Sequence, residues 1–323
     1  MKPKIVFFGT PEFARDILRD IHEEFEVVGV VTSPDAPVGR KRVITPTPVK
    51  EFALEKHYDI FTPVKLKRNP EFLETLQELQ PELMIVVAYG LIIPKSYLDA
   101  FPGKWINIHP SILPQYRGPA PMHAPLLNGD ARTGTSIMIM DHKMDHGPIL
   151  AQALIPVEGD VLFAELSDQL RELSSDLLLT VTRGYLDGSV TPVEQEHELA
   201  TFTKFIHRND GLIDWSRPAT EIYNQFRAFH IWPESASWFT KNGRKEKVKF
   251  EKMLLTTEAA PFDTSPGQIV WREKRMFVVC GENTMIEILT LKPAGKNSLS
   301  AKEFLNGYSD ITSFLSETSR PPQ

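Results

Sequence analysis

Two residues in the first half of the chain, Asn107 and His109, have the types and the spacing to act together on one carbonyl group. They belong to Trp105-Ile-Asn-Ile-His109, an apolar stretch of strand length. Side chains alternate along a strand, so Trp105, Asn107 and His109 share one face while Ile106 and Ile108 point to the other. Pro110 lacks a backbone donor and favours an extended residue before it. The strand is therefore expected to stop at His109, on the carboxyl edge of its sheet, where open α/β sheets bind ligands. A second segment, Thr135 to Leu150, reads as strand, polar loop and strand, with Asp141, His142, Asp145 and His146 in the loop. A carboxylate from this loop can meet the Asn/His pair. Two of its histidines are four residues apart, but Gly147-Pro148 ends any helix and no Cys or His cluster completes a coordination shell, so no metal is expected. An amide, an imidazole and a carboxylate without a Ser or Cys nucleophile suit direct acyl transfer, in which an amine attacks a carbonyl. The amide and an imidazolium stabilise the oxyanion, and the carboxylate favours the protonated imidazole and takes a proton from the amine.

Basic residues form two further groups. Thr32 to Lys50 is a long loop punctuated by Pro and carrying Arg40, Lys41 and Arg42 beside Gly39. Loops of this length are usually functional or disordered, and the position suits contact with phosphates, although a solvated charge run is an equal reading. Arg244, Lys245, Lys247 and Lys249 pose the same choice between an oligonucleotide surface and an edge strand charged against aggregation.

The elements that hold these residues follow from apolar patterning. Lys4 to Phe8 is a strand, Gly9-Thr-Pro11 a turn, Glu12 to about Glu24 a helix and Val27 to Val31 a parallel strand. Leu83 to Ala88 is an unbroken apolar run, as in a strand buried on both faces. These alternations predict an α/β domain with a doubly wound, mostly parallel sheet. A lone Gly9 is not the dinucleotide fingerprint, so no nicotinamide cofactor is expected. After about residue 190 the pattern changes. Ser216 is expected to cap a helix running to about Phe229, and beyond Pro233 come five short strands, with Asn242-Gly243 as a hairpin turn. A small C-terminal β-barrel is the expected second fold. The expected division is a catalytic domain over 1–190, a linker over 191–209, the barrel over 210–316 and a frayed tail over 317–323.

The 323 residues are 41% hydrophobic and 24% charged, with a net charge of −6, as for a globular enzyme with two domains. The negative charge lies in residues 1–210, and residues 211–323 carry a slight basic excess. Any contact with nucleic acid must then come from local basic patches, which act within about 8 Å at physiological salt. One cysteine, Cys280, the lack of a leader and the lack of a long apolar run predict a cytoplasmic protein with no membrane partner. A monomer is the expected state.

Taken together, these segments resemble the methionyl-tRNA formyltransferase family over nearly the whole chain. The resemblance rests on Phe8-Gly-Thr-Pro-Glu-Phe13, the Pro-Asp-x-Pro-x-Gly-Arg loop ending in Thr-Pro-Val-Lys50, and Val87-Ala-Tyr-Gly-Leu-Ile-Ile-Pro94. It continues through Asn107-Ile-His-Pro-Ser-Ile-Leu-Pro-Gln-Tyr-Arg-Gly118, the segment from Met140-Asp141 to Asp145-x-Gly147, Gly211-Leu-Ile-Asp-Trp-Ser216 and Phe304-Leu-Asn-Gly307. The resemblance implies transfer of the formyl group of 10-formyltetrahydrofolate to the methionine amine of initiator methionyl-tRNA, the step that prepares it for translation initiation. It implies that Asn107, His109 and Asp145 are catalytic, and that Ser111, Ile112, Leu113 and Pro114 line the folate site with Tyr89, Gly90 and Leu91. Arg40, Lys41 and Arg42 fall in the family's tRNA loop, and the barrel, with Arg244, Lys245 and Lys247, corresponds to its oligonucleotide-binding (OB-like) domain. The chain departs from the family in Gly39-Arg-Lys-Arg-Val43, where Gly-Arg-Gly-Lys-Lys is common, and in His146 after Asp145. Competing readings are a formyltransferase acting on an amino sugar or a glycinamide ribotide, a 10-formyltetrahydrofolate hydrolase, and a tRNA-binding module without catalysis.

Overall fold

The computed structural model describes residues 2–39 and 41–316. Arg40 of the basic cluster and the tail 317–323 lie outside them. The chain forms two compact units: Met1–Pro121 with Arg132–Pro156 and Leu166–Lys204, and Met122–Ala131 with Val157–Glu165 and Phe205–Gln323.

The first unit opens with β1 (Lys4–Gly9), α1 (Glu12–Ile21), β2 (Glu26–Val31), β3 (Ala36–Val38), β4 (Val43–Thr45), α2 (Pro48–Glu55) and β5 (Ile60–Phe61). It continues with α3 (Pro70–Glu78), β6 (Leu83–Val87), α4 (Lys95–Ala100) and β7 (Trp105–His109). After α5 (His123–Asn128) come β8 (Arg132–Ile139), β9 (Ile149–Pro156) and α6 (Phe163–Leu186). The sheet order is β5-β2-β1-β6-β7-β8-β9, parallel as far as β7 and antiparallel through β8 and β9. The chain winds outward from β1 through β2 to β5 and then returns to start β6 on the other side. The order therefore reverses between β1 and β6, where such sheets open a crevice.

Both faces of this sheet are covered, which is why β6 is apolar at every position. One face packs Ile5, Phe7, Ile85, Ile106 and Ile108 with residues of α1 and α6. The other packs Val6, Phe8, Met84, Val86 and Trp105 with Phe72 and Leu76 of α3 and Tyr97 and Leu98 of α4. Trp105 places the face of Asn107 and His109 on the α3/α4 side.

The segment 32–50 is not a structureless loop: β3 and β4 pair antiparallel, Val38 opposite Val43, with Lys41 and Arg42 at the tip. Thr32 and Thr47 hydroxyls meet at 2.7 Å and Lys50 Nζ donates to Asp35 at 2.7 Å, so polar contacts close the base of the hairpin. Thr47 also caps α2 by accepting from the Lys50 N–H. α1 ends at Ile21, short of the expected Glu24.

The second unit holds α5, α7 (Ala219–Ala228), β10 (Ala236–Lys241), β11 (Arg244–Leu255), β12 (Ile269–Arg272), β13 (Arg275–Val279), β14 (Met285–Pro293), β15 (Leu299–Ser300) and α8 (Ala301–Gly307). Residues 122–131 and 157–165 belong to it although they lie early in the chain: Arg227 on α7 donates to the carbonyls of Glu158 and Val161 at 3.0 and 3.5 Å, and the His123 ring stacks on Phe163 at 4.0 Å. Ser216 does not cap α7. Its hydroxyl bonds Asp214 at 2.7 Å and the helix begins after Pro218. The six strands form one antiparallel sheet, β10-β11-β14-β13-β12 with β15 on β14. Asn242 and Gly243, both at positive φ (49° and 72°), make the two-residue turn between β10 and β11. The sheet curls until residues 312–315 join its outer strands. Leu315 N–H donates to Trp238 at 2.7 Å on one side, and Ile269 N–H to Thr312 at 2.8 Å on the other. Phe314 then sits in the core against Trp215 and Phe250. Among the described residues no helix is long and apolar enough to cross a membrane.

Candidate active site

β7 ends at His109, directly before Pro110. Asn107 stands opposite Val86 and Met138, and His109 opposite Ser136, so two polar residues rise about 7 Å apart on one face. His109 is 4% exposed. Its Nε2 lies 2.9 Å from the carbonyl of Tyr116, and a carbonyl only accepts, so Nε2 carries a proton. Nδ1 faces Asp145 Oδ1 at 3.6 Å, a separation for charge attraction rather than a short hydrogen bond. The other carboxylate oxygen accepts the Gly118 N–H at 2.7 Å. Glycine is required there: φ is +113°, and a Cβ would lie 2.8 Å from Thr203 Oγ1 and 2.9 Å from the Thr203 carbonyl. Asn107 is half-buried, and its side-chain amide has no hydrogen-bond partner among the described residues. The three residues expected to share the chemistry thus consist of a closely paired His109 and Asp145, with Asn107 two positions earlier on the same strand face.

The turn after β7 is built from its own polar groups. Ser111 is fully buried and its hydroxyl donates to Gln115 O at 2.7 Å, so that hydroxyl supports the turn. Leu113 is buried too, its N–H donating to Ser136 Oγ at 3.0 Å and its carbonyl accepting from Gln152 at 2.8 Å. Ile112 and Pro114 are half-buried and keep apolar surface. Tyr89, Gly90 and Leu91 follow β6, at the edge where the strand order reverses. Gly90 is exposed, and a Cβ on it would meet only Ser33 Oγ at 3.9 Å, which leaves its backbone open to a flat ring. The Tyr89 ring packs edge-on to Phe8 at 5.4 Å, and its buried hydroxyl has no partner among the described residues; burial pushes this phenol up to about 12.

Asp141, the other loop carboxylate, bonds His146 Nδ1 at 2.7 Å and the Lys143 N–H at 2.9 Å, which keeps it away from His109. Among the described residues no three His, Cys, Asp or Glu side chains form a metal site. Lys41 and Arg42 are exposed at the β3–β4 tip. Arg244, Lys245 and Lys247 lie on β11 opposite Lys241, Thr240 and Trp238.

Sequence reasoning missed the residues that fasten these loops. Residues 193–203, read as a linker, run along the site. Ile149 and Val193 exchange backbone hydrogen bonds at 2.7 and 2.8 Å, Arg117 N–H donates to Thr201 O at 2.9 Å and Thr203 N–H to Arg117 O at 2.8 Å. Buried Gln195 and Arg117 bond each other, Nη2 to Oε1 at 2.6 Å. The only signal available was the run of polar side chains in an otherwise irregular stretch.

Residues 3–182 match the family model described as formyl transferase, and residues 206–309 match the formyl transferase C-terminal domain. The methionyl-tRNA formyltransferase of Enterococcus faecalis (strain ATCC 700802 / V583) is 40% identical over 306 residues, 94% of this chain and 96% of that protein. That of Bacillus subtilis (strain 168) is 38% identical over 306 residues, 94% of each. Among solved structures, the N-formyltransferase from Helicobacter canadensis with folinic acid and dTDP-3-aminofucose superposes with a TM-score of 0.65 at 18% identity, over 89% of this chain and 99% of that one, a likeness of fold. With both family domains matched and bacterial relatives 38–40% identical over 94% of the chain, this chain belongs to the methionyl-tRNA formyltransferase family.

Proposed function

We propose that the chain transfers the formyl group of 10-formyltetrahydrofolate to the amino group of methionine on initiator methionyl-tRNA. The observation that carries this reading is the end of β7, where an uncommitted Asn107 amide shares a face with a buried His109 whose Nδ1 is 3.6 Å from Asp145. The activity for which these relatives are named supports the acceptor. When bound, the folate supplies an electrophilic formyl carbon. Ile112 and Pro114 offer it apolar surface, the Tyr89–Leu91 backbone accepts its flat ring, and Ser111 and Leu113 hold the turn in shape.

Asn107 donates its amide N–H to the oxygen on which negative charge develops. Tyr116 holds one nitrogen of His109, so Nδ1 is the ring atom free to hold or move a proton. Asp145 stabilises positive charge on that ring and takes a proton from the attacking amine; as the bond from the formyl carbon to the folate nitrogen breaks, the His109–Asp145 pair returns that proton to this nitrogen and tetrahydrofolate leaves. Lys41 and Arg42, together with Arg40, and Arg244, Lys245 and Lys247 on the curled sheet, contact tRNA phosphates.

Incubation with charged initiator tRNA and 10-formyltetrahydrofolate, followed by detection of formyl-methionine on the RNA, tests the reading. Formyl-methionine is expected. Formate release without an amine, or formylation only of an amino sugar or glycinamide ribotide, would replace it with a competing activity.

A further inference from the structure

We infer that Gln195 is a positioning residue that acts through Asp145, an inference resting on the proposed reaction. Asp145 stands on the β8–β9 loop at φ +49°, a left-handed conformation that a non-glycine residue keeps only when its surroundings enforce it. Gln195 supplies that enforcement. Its side-chain N–H groups donate to the carbonyls of Asp145 at 3.0 Å and Gly147 at 2.7 Å, and carbonyl partners require the NH₂ end to face them. Its Oε1 accepts from Arg117 Nε at 3.2 Å and Nη2 at 2.6 Å. Arg117 precedes Gly118, whose N–H holds the Asp145 carboxylate. One dipeptide therefore grips Asp145 twice, by its backbone through Gln195 and by its side chain directly.

A second contact fixes the residue that follows. Arg117 Nη2 donates to His197 Nδ1 at 2.9 Å, and the His197 ring stacks on His146 at 3.8 Å with 13° between planes. Arg117 is 3% and Gln195 6% exposed, so neither is offered to solvent or to RNA phosphates.

Gln195→Glu tests the inference, because it keeps side-chain length and the acceptor for Arg117 but turns an oxygen toward two carbonyls. Gln195→Met removes both sets of bonds. For each variant kcat is expected to fall on the order of 10- to 100-fold, as when a reacting group is displaced by about 1 Å. KM for charged tRNA and for 10-formyltetrahydrofolate should stay within about twofold, because Gln195 binds neither. In an Asp145→Asn background, Gln195→Glu should cost less than about twofold more, since a residue acting only through Asp145 is then redundant. A readout independent of turnover is the ¹⁵N spectrum of the His109 ring, assigned by its loss in His109→Asn, which should shift in Gln195→Glu. Unchanged kcat with an unchanged His109 spectrum overturns the inference, as does equal loss in both backgrounds or loss of folding in both variants. If the wild-type chain does not formylate methionyl-tRNA, the proposed reaction fails instead, and the His109 spectrum still decides whether Gln195 positions Asp145.

Discussion

Replacing Asp145 by Asn removes one charge while leaving the shape of the loop almost untouched, which isolates the electrostatic part of the His109–Asp145 pair. The Asn side-chain oxygen can still accept the Gly118 N–H now held at 2.7 Å. What disappears is attraction between the carboxylate and the positive charge that the proposed reaction places on the His109 ring, 3.6 Å away. That attraction is about 4–5 kcal/mol at an effective dielectric constant near 20. Asp145 retains 16% side-chain exposure, so water screens part of this, and a loss of roughly 3 kcal/mol corresponds to a slowing of about 100- to 1000-fold. The assay is single-turnover formyl transfer with enzyme in excess, which reads chemistry without product release. Asp141→Asn is the matched control, because it removes an equal charge from the same loop but from a carboxylate bound to His146. It should slow transfer less than about threefold. A rate for Asp145→Asn within threefold of wild type, or equal losses in both variants, would refute the assigned role of the pair.

Three further outcomes rest on particular side chains. Tyr89→Phe deletes a buried hydroxyl without a partner among the described residues, so stability in urea should be unchanged or higher by about 1 kcal/mol; a loss above that would reveal a bond to this hydroxyl. Burial holds His123 down to about 4, against about 6.5 in an unfolded chain, so the unfolded state binds the extra proton between these values. The resulting stability is fully present above pH 6.5 and is lost as pH falls toward 4, by up to about 3 kcal/mol. His123→Phe keeps an aromatic ring against Phe163 and should flatten denaturation midpoints across that range, whereas an unchanged slope would assign it to other groups. Lys41→Ala with Arg42→Ala should weaken binding of charged tRNA and reduce the slope of log affinity against log salt by about 0.7–0.9 for each phosphate that is no longer neutralised; an unaltered slope would move the tRNA interface away from the hairpin tip.

The fold was legible wherever it depended on local pattern. Leu83 to Val87 is apolar throughout because both faces of its strand are covered. Asn242-Gly243 announced its turn because few other pairs accept positive φ twice. The hairpin at 36–45 escaped because its strands are three residues each, too short for alternation to register. Residues 312–315 escaped for a related reason: they close the curled sheet by backbone bonds to two strands, and backbone groups leave no trace in side-chain order. Ser216 misled because a serine before Pro218 has the composition of a cap, while Asp214, two residues earlier, competes for its hydroxyl.

The site divides along the same line. Asn107 and His109 were readable together because a strand imposes a period of two, and Pro110 marks where that strand must stop. Asp145 was one of two loop carboxylates until the resemblance separated them, and the fold separates them physically by giving Asp141 to His146. What supports Asp145 has no period at all. Arg117 and Gln195 are 78 positions apart, and Gln195 and Asp145 are 50 apart, distances over which no propensity or pattern operates. Yet their pairing has a physical logic. A guanidinium confined in a Pro- and Gly-rich turn must find acceptors, because burying its charge without them is costly. A glutamine satisfies it with one end and has two donors left at the other, and donors of that kind can hold a backbone in the left-handed conformation required at Asp145. The backbone of the carboxylate proposed to be catalytic is therefore held by a residue from the segment that sequence alone treated as connection.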